Sequence, residues 1–199
     1  MRLVLATRNA HKQREFARLL PDHEIEALAE SVALPPETGA TFAENALPKA
    51  RAAGAATGRP AIADDSGIEA AALDGAPGVR SARYAGAEAT DAENLDRLRR
   101  EVPAGSPLTY VCVVAFVDPD SGEEHLFEGR CTGTMAAAPR GSGGFGYDPV
   151  FVPDDDDGSV GGERTMAELA DEEKDAISHR GRATRALAGW LGRARAAAG

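Results

Sequence analysis

LTYVCVVAFV, residues 108–117, is the most strand-like stretch of this 199-residue chain. It is rich in β-branched and aromatic residues, which pack well on the pleated surface of a sheet. The turn-forming residues Asp118-Pro119-Asp120-Ser121-Gly122 follow it, and a second strand-like stretch extends over residues 124–134. Together the three segments predict a β-hairpin.

Strand and helix patterns are also present on the N-terminal side of this hairpin. Leu3 to Ala6 form a short apolar run typical of a buried strand, and apolar residues recur at helical spacing over residues 16–20. Ala61-Ile62-Ala63 predicts another short strand, which we expect to end at Asp64.

Three capping boxes predict helix N-termini, because a threonine and the glutamate three residues later satisfy each other's free backbone donors. They pair Thr41 with Glu44, Thr90 with Glu93, and Thr165 with Glu168. We expect the first helix to reach Thr57, with a kink or boundary near Leu47. The reason is Pro48, because a proline inside a helix removes a backbone hydrogen bond and costs about 3 kcal/mol.

The composition indicates one acidic globular domain, residues 1–199, with 43% hydrophobic residues. A formal net charge of -10 offers no general attraction for nucleic acid or an anionic membrane, so local cations must hold any polyanionic ligand. The acidic run Asp154–Asp157 is interpreted as a solvated turn. No stretch approaches the roughly 20 apolar residues that span a bilayer, and the N-terminal apolar run is too short for a signal peptide. We therefore expect a cytoplasmic protein with neither a nucleic-acid nor a membrane partner.

The connection between the first strand and helix is Thr7-Arg8-Asn9-Ala10-His11-Lys12. A helix N-terminus carries unpaired N–H groups and the positive end of the helix dipole, which favour a phosphate chain. Lys12 adds a cation there. An ordinary strand-to-helix turn stays an alternative, because the glycines and the GK[ST] ending of a P-loop are absent.

Two adjacent carboxylates stand in Asp64-Asp65-Ser66-Gly67. Neighbouring side chains on a strand point to opposite faces, so one carboxylate can hold Mg²⁺ while the other braces the loop. Mg²⁺ held by one or two carboxylates and by phosphate oxygens is the usual arrangement for phosphoryl chemistry. The alternative is an acidic turn.

The glycine-rich segment 140–149 contains Phe145 and Tyr147 between glycines, followed by Asp148. Such a loop can wrap a flat base, with an aromatic face for stacking and a carboxylate for hydrogen bonds. Aromatic side chains that only fill the core are the alternative.

Lys174, His179 and Arg180 are further cations near the C-terminus. Lys174 and His179 are five residues apart and do not share one helical face. His179 and Arg180 need a helix end or a cleft to act together, and solvated charges are the simpler interpretation.

In their order along the chain, six motifs resemble the Ham1 family of inosine triphosphate pyrophosphatases. They are LATRN..K..E from Leu5, ETGATFAENA from Glu37, IADDSG from Ile62, GAPGVRSARYAG from Gly75, GGFGYDPVF from Gly143, and KDAISHRG from Lys174. The resemblance extends from Leu5 to about Ala188. It implies an α/β fold with an elongated central mixed sheet flanked by helices, two lobes around a nucleotide-binding cleft, and a homodimer.

The activity that the resemblance implies is hydrolysis of ITP, dITP and XTP to the monophosphate and pyrophosphate, with Mg²⁺ as cofactor, which removes aberrant bases from the nucleotide pool. Asp65 would be the catalytic carboxylate, which orients or deprotonates water and touches Mg²⁺. The family often has a metal-binding glutamate one place before the ETG segment. That place is Pro36 here, so Glu37 would be the substitute ligand.

The other matched positions would bind the nucleotide. They are Thr7, Arg8, Asn9, Ala10, His11 and Lys12 for the phosphate chain, Ser66 for a further nucleotide contact, Phe145, Gly146, Tyr147 and Asp148 for base and sugar, Lys174 near the base or phosphates, and His179 with Arg180 as donors toward the purine.

Three other functions are open at this stage. A related pyrophosphatase could act on a modified pyrimidine, and a sensor could bind the nucleotide without cleaving it. The presence of Asp64, Asp65, Lys12 and Lys174 argues against the sensor. The net charge argues against a nucleic-acid-binding module.

Overall fold

A computed structural model describes residues 1–154 and 164–197, and within them six strands form one mixed sheet. The strands are β1 (Arg2–Leu5), β2 (Glu24–Ala27), β3 (Ala61–Ala70), β4 (Pro107–Val117), β5 (Glu124–Met135) and β6 (Phe151–Pro153). Their order is β2-β1-β3-β4-β5-β6. Strand β1 is parallel to β2 and β3, whereas β6 is antiparallel to β5.

Five α-helices accompany the sheet in the described residues. They are α1 (Ala10–Leu19), α2 (Phe42–Thr57), α3 (Asp91–Glu101), α4 (Asp171–Ile177) and α5 (His179–Ala197). The predicted α/β fold with a mixed sheet flanked by helices is confirmed. Within the described ranges, no helix is both long and apolar enough to cross a membrane.

The chain divides into two compact units. The first comprises Met1–Asp65, Cys112–Gly129 and the described part of Arg180–Gly199, and the second comprises Ser66–Val111 and the described part of Arg130–His179. The single domain over residues 1–199 stays a prediction.

The first unit has its core between β1 and the helices α1 and α5. Leu3 and Leu5 of β1 belong to one buried apolar cluster with Phe16 of α1 and Leu187 of α5, and all four side chains are fully buried. Full burial of such a side chain stabilises the fold by about 1.5–3 kcal/mol. This packing fixes the chain on either side of the β1–α1 connection, where the phosphate site was predicted.

The second unit has its own apolar core. Leu98 of α3 packs with Ile68, Leu108, Phe151 and Met166, and all five are nearly inaccessible to solvent. The glycine-rich segment 140–149 lies along the chain between β5 and β6.

The predicted hairpin is confirmed. Strands β4 and β5 are neighbours in the sheet, and the Asp118 amide donates to the Glu123 carbonyl oxygen at 2.9 Å to close the turn. Cys112 and Cys131 are both buried. Burial, with the charge of Asp64, raises the pKa of the Cys112 thiol to about 12.

The predicted end of β3 at Asp64 was wrong, because the strand continues to Ala70. The strand can pass through two carboxylates since both are buried with partners of their own, described below. Charge alone therefore did not mark a turn.

Of the two alternatives predicted near Leu47, the boundary was wrong, because α2 continues through Pro48, and the kink stays a prediction. Ala46, Ala50 and Ala53 are fully buried on both sides of the proline, so packing holds the helix across the missing hydrogen bond. Left-handed Gly58 then ends it.

The capping boxes at Thr41 and Thr90 begin α2 and α3 as predicted. The third, at Thr165, begins only the 3-10 turn Met166–Glu168, and α4 starts at Asp171. The acidic run beyond Asp154 lies outside the described residues.

Candidate active site

The β1–α1 connection forms a capped helix start. Asn9 Oδ1 accepts hydrogen bonds from the amides of His11 at 2.8 Å and Lys12 at 3.2 Å, and Thr7 Oγ1 accepts from the Asn9 amide. The apolar strand β1 is thus followed, after four residues, by the ten-residue helix α1. Its first turn carries no acidic residue, so the positive end of the helix dipole is not offset there.

The side chains of this connection have different surroundings. Arg8 donates to the carbonyl oxygens of Leu28 and Val32, each at 2.6 Å, so its guanidinium also holds the 28–32 segment. His11 is exposed and lies 2.9 Å from an Arg14 nitrogen. Ala10 is the first residue of α1.

Asp64 is the buried anionic centre of the first unit. Its Oδ2 accepts from Lys12 Nζ and Arg180 Nη2, each at 2.9 Å. Burial by itself would raise the pKa of this carboxyl, but the charges of Lys12, Arg180 and Lys49 outweigh burial and hold the pKa well below its usual value. Asp64 Oδ1 is buried and has no hydrogen-bond partner among the residues that the structure describes.

Arg180 is almost completely buried and joins two carboxylates. Its Nη1 lies 2.5 Å from Glu15 Oε2, and its Nε and Nη2 face Asp64. Its predicted role as a donor toward the purine stays a prediction. In the fold, the guanidinium is paired with carboxylates of the protein itself.

Asp65 differs from its neighbour in charge environment. It is 5% exposed, and its Oδ2 accepts from Asn45 Nδ2 at 2.9 Å. Burial is the main cause that raises the pKa of Asp65, and the charge of Glu37 adds to it. Asn45 and the two lysines Lys49 and Lys12 act in the opposite direction without cancelling the rise. A carboxylate with a raised pKa is a better proton acceptor near neutral pH.

Glu37 and Lys49 form a close ion pair beside Asp65. Lys49 Nζ lies 2.5 Å from Glu37 Oε1 and also donates to the backbone oxygen of Asp64 at 2.6 Å. Lys49 is itself buried. Lys49 therefore links the proposed metal ligand Glu37 to the backbone of Asp64, and the charge of Glu37 acts on Asp65.

The second unit contains a separate polar cluster around Asp148. Asp148 Oδ2 accepts from Lys174 Nζ at 2.7 Å and from the Phe145 amide at 2.9 Å, while Oδ1 accepts from Tyr110 Oη at 3.0 Å. All of Asp148, Lys174 and Tyr110 are buried. Gly144 has a φ of +68° and a Cβ there would lie 2.0 Å from Asp148 Oδ2, so only glycine fits.

Aromatic residues surround this cluster. The His179 ring stacks on Tyr110 with centroids 4.5 Å apart and planes at 6°. Phe145 is partly exposed under Lys174 Nζ, at 5.2 Å from the ring centroid. Tyr147 is buried and donates to the Ser81 carbonyl oxygen at 2.7 Å, so its ring fills the core.

The last two predicted positions adjoin these groups along the chain. The Gly146 amide donates to Asp91 Oδ2 at 3.0 Å. Ser66 is partly exposed and follows Asp65 within β3.

Sequence reasoning did not single out Glu15, Asn45 or Lys49 as members of the site. Asn45 and Lys49 are four residues apart on α2 and therefore share a face, and both are buried among alanines. A polar pair at this spacing in an alanine-rich helix is the signal that could have identified them. Glu15 is partnered by Arg180, 165 positions along the chain, and no local pattern indicates that pairing.

The fold is shared with solved HAM1 proteins. The HAM1 protein of Coxiella burnetii has a TM-score of 0.82 and 42% identity, over 97% of this chain and 99% of its own. A nucleoside-triphosphatase (dITP/XTP pyrophosphatase) of Mycobacterium abscessus has a TM-score of 0.69 and 45% identity, over 94% and 98%.

Curated relatives are similar in sequence to this chain over nearly its full length. A dITP/XTP pyrophosphatase of Symbiobacterium thermophilum is 52% identical over 92% of this chain and 90% of its own, and one of Streptomyces coelicolor is 47% identical over 94% of each. The model of the Ham1 family matches residues 3–190. The chain belongs to the Ham1 family.

Proposed function

We propose that this protein hydrolyses nucleoside triphosphates with hypoxanthine or xanthine bases, namely dITP, ITP and XTP, to the monophosphate and pyrophosphate. The observation that supports this most directly is the pairing of Lys12, at the start of α1, with the buried carboxylate pair Asp64-Asp65. The relatives of 47% and 52% identity are dITP/XTP pyrophosphatases, which supports the substrate class.

Asp65 is the group we assign to the attacking water. In the mechanism we propose, water attacks the α-phosphorus and pyrophosphate is the leaving group. Asp65 would orient that water and accept its proton, for which its raised pKa is suited. Asp64 would stay ionised and hold Lys12 in place, so that the lysine ammonium and the α1 N-terminus present a fixed positive potential to the phosphate chain.

The residues present fit a Mg²⁺ ion held by Asp65 and Glu37. Both offer carboxylate oxygens, and the charge of Glu37 already raises the pKa of Asp65, as expected of two acids that a shared cation would relieve. In the described residues, no group of three or more His, Cys, Asp or Glu side chains could hold a metal by itself. Mg²⁺ commonly takes one or two carboxylates and completes its shell with phosphate oxygens and water, so two carboxylates are enough for this proposal. Its contribution when bound would be to neutralise charge on the bridging and leaving oxygens.

We assign recognition of the base to donor side chains that the family resemblance implies. Lys174 and His179 offer donors, and a 6-oxo purine presents an acceptor at O6. Adenine presents an amino group there and would leave such donors unpaired, at a cost of about 1–3 kcal/mol per buried group. Guanine shares O6 and must be excluded at its 2-amino group.

A substrate panel tests this proposal. In the presence of Mg²⁺, kcat/KM for dITP and XTP should exceed that for dATP and dGTP by about 10- to 100-fold, since one mismatched buried group accounts for that range. Products are identified by ion-exchange chromatography. Release of inorganic phosphate and a diphosphate would contradict the cleavage position, a preference for modified pyrimidines would favour the related pyrophosphatase, and binding without turnover would favour the sensor.

The cytoplasmic location and the homodimer stay predictions, which we propose on the ground that the substrate pool is cytoplasmic and the family resemblance implies a dimer.

A further inference from the structure

Two helices of this protein begin with the same sequence pattern, a capping box followed at once by asparagine. Helix α2 follows its N-cap Thr41 and contains Glu44-Asn45, and helix α3 follows its N-cap Thr90 and contains Glu93-Asn94. Both asparagines are buried, at 3% and 2% exposure. The two helix starts therefore provide an internal comparison.

Each asparagine accepts a hydrogen bond from the loop that precedes its helix. Asn45 Oδ1 accepts from the Gly39 amide at 2.7 Å, and Asn94 Oδ1 accepts from the Ala85 amide at 2.7 Å. A Cβ on Gly39 would lie 2.8 Å from Asn45 Oδ1 and 2.6 Å from Glu44 Cβ, so the loop approaches the helix closely there. This shared bond ties the loop to the helix.

The second half of the carboxamide has different partners in the two helices. Asn94 Nδ2 donates to the Ala82 carbonyl oxygen at 3.1 Å, which again ties down the loop. Asn45 Nδ2 instead donates to the carboxylate of Asp65 at 2.9 Å, 20 residues along the chain. Since Oδ1 of Asn45 is committed to an N–H donor, its NH₂ group must face Asp65, and a flipped amide would break both bonds.

We propose that Asn45 is a positioning residue of the hydrolytic site, whose carboxamide holds the Asp65 carboxylate in register with the Glu37 segment. Glu37 is two residues from Gly39, so the Asn45 bonds join the Asp65 carboxylate to the backbone that carries Glu37. Asn94 is the structural counterpart, because both hydrogen bonds of its carboxamide go to the backbone of the preceding loop. The inference rests on the proposed function for its catalytic part, and on geometry alone for the contact.

The test compares Asn45→Asp with the matched control Asn94→Asp. The introduced carboxylate can still accept the hydrogen bond from the Gly39 amide. It cannot donate to Asp65, however, and places a second negative charge beside it. We expect kcat for dITP to fall by about 30-fold with KM within about threefold, since misplacement of a reacting group is felt in the chemical step. Asn94→Asp should lower the melting temperature comparably and leave kcat within about threefold of the wild type. An unchanged kcat in Asn45→Asp, or an equal loss in Asn94→Asp, would overturn the role.

A measurement without turnover tests the contact itself. In the double variant Asn45→Asp/Asp65→Asn, donor and acceptor are exchanged, so the hydrogen bond can form again. Its melting temperature should exceed that of Asn45→Asp by about 3 °C or more. If the melting temperature does not recover, the contact is wrong. If the wild type cleaves no dITP, the proposed function fails, and the melting temperatures still decide the contact.

If Asn45→Asp does not fold, Asn45→Ala tests the same role. Asn45→Ala removes both hydrogen bonds without adding a charge, and the same fall in kcat at nearly constant KM is expected of it. Its control is Asn94→Ala.

Discussion

Asp65→Asn is expected to lower kcat for dITP by about a thousandfold while the protein stays folded. An asparagine oxygen can still accept from Asn45 Nδ2, so the local geometry is retained. It cannot take a proton from water, and it is a weaker ligand for Mg²⁺ than a carboxylate. The loss should therefore be in kcat more than in KM, and steady-state kinetics with detection of pyrophosphate measures it.

The stability of this variant separates catalysis from folding. The pKa of Asp65 is raised, chiefly by burial, so its ionised form is destabilised in the fold above that pKa. A neutral isostere is free of this cost, and we expect an unchanged or higher melting temperature. The control is Asp22→Asn, an exposed aspartate between α1 and β2, which should change neither quantity.

Removal of the cation is a second test of the role of Asp65 in turnover. The wild type treated with a chelator should lose turnover and regain it with Mg²⁺, whereas Asp65→Asn should regain almost none. Full activity of the chelated wild type would contradict the metal assignment. Activity of Asp65→Asn within tenfold of the wild type would contradict the role of Asp65 as water-activating group.

Local chemistry explains which elements were predictable from the sequence. The capping boxes at Thr41 and Thr90 and the turn after Val117 are each completed by residues a few positions apart, and all three formed as predicted. The continuation of β3 through Asp64 and of α2 through Pro48 depends on partners and packing from distant parts of the chain. Such tertiary support overrides a local propensity of a few kcal/mol.

The candidate site follows the same division. Lys12 and the Asp64-Asp65 pair were each predicted as site residues because a strand-to-helix connection and a charged strand are visible motifs, whereas the ion pair of Lys12 with Asp64 was not predicted. The partner of Arg180 was not, because Glu15 stands 165 residues away and acts through a buried ion pair. The sequence therefore indicated the chemistry of the reacting groups better than the network that holds them.

That network leads to the second large effect, which concerns stability. Arg180→Met should lower the free energy of unfolding by about 3–5 kcal/mol, because Asp64 and Glu15 would lose the guanidinium that compensates their charge. Methionine approximates the length of the arginine side chain, so loss of packing contributes little. Denaturant unfolding followed by the fluorescence of Trp190, on the same helix, measures the change.

An exposed pair of similar geometry serves as the control for Arg180→Met. Arg51 makes two hydrogen bonds to Glu124, at 2.6 and 2.7 Å, yet its side chain is 55% exposed. Arg51→Met should cost about 0.5 kcal/mol or less, since water screens the pair and solvates the partner left behind. A large decrease in the free energy of unfolding for Arg180→Met, together with a small decrease for Arg51→Met, would identify Arg180 as the counter-ion that keeps Asp64 charged. Unchanged stability with a raised KM for dITP would instead assign Arg180 to the nucleotide, as the family resemblance implies.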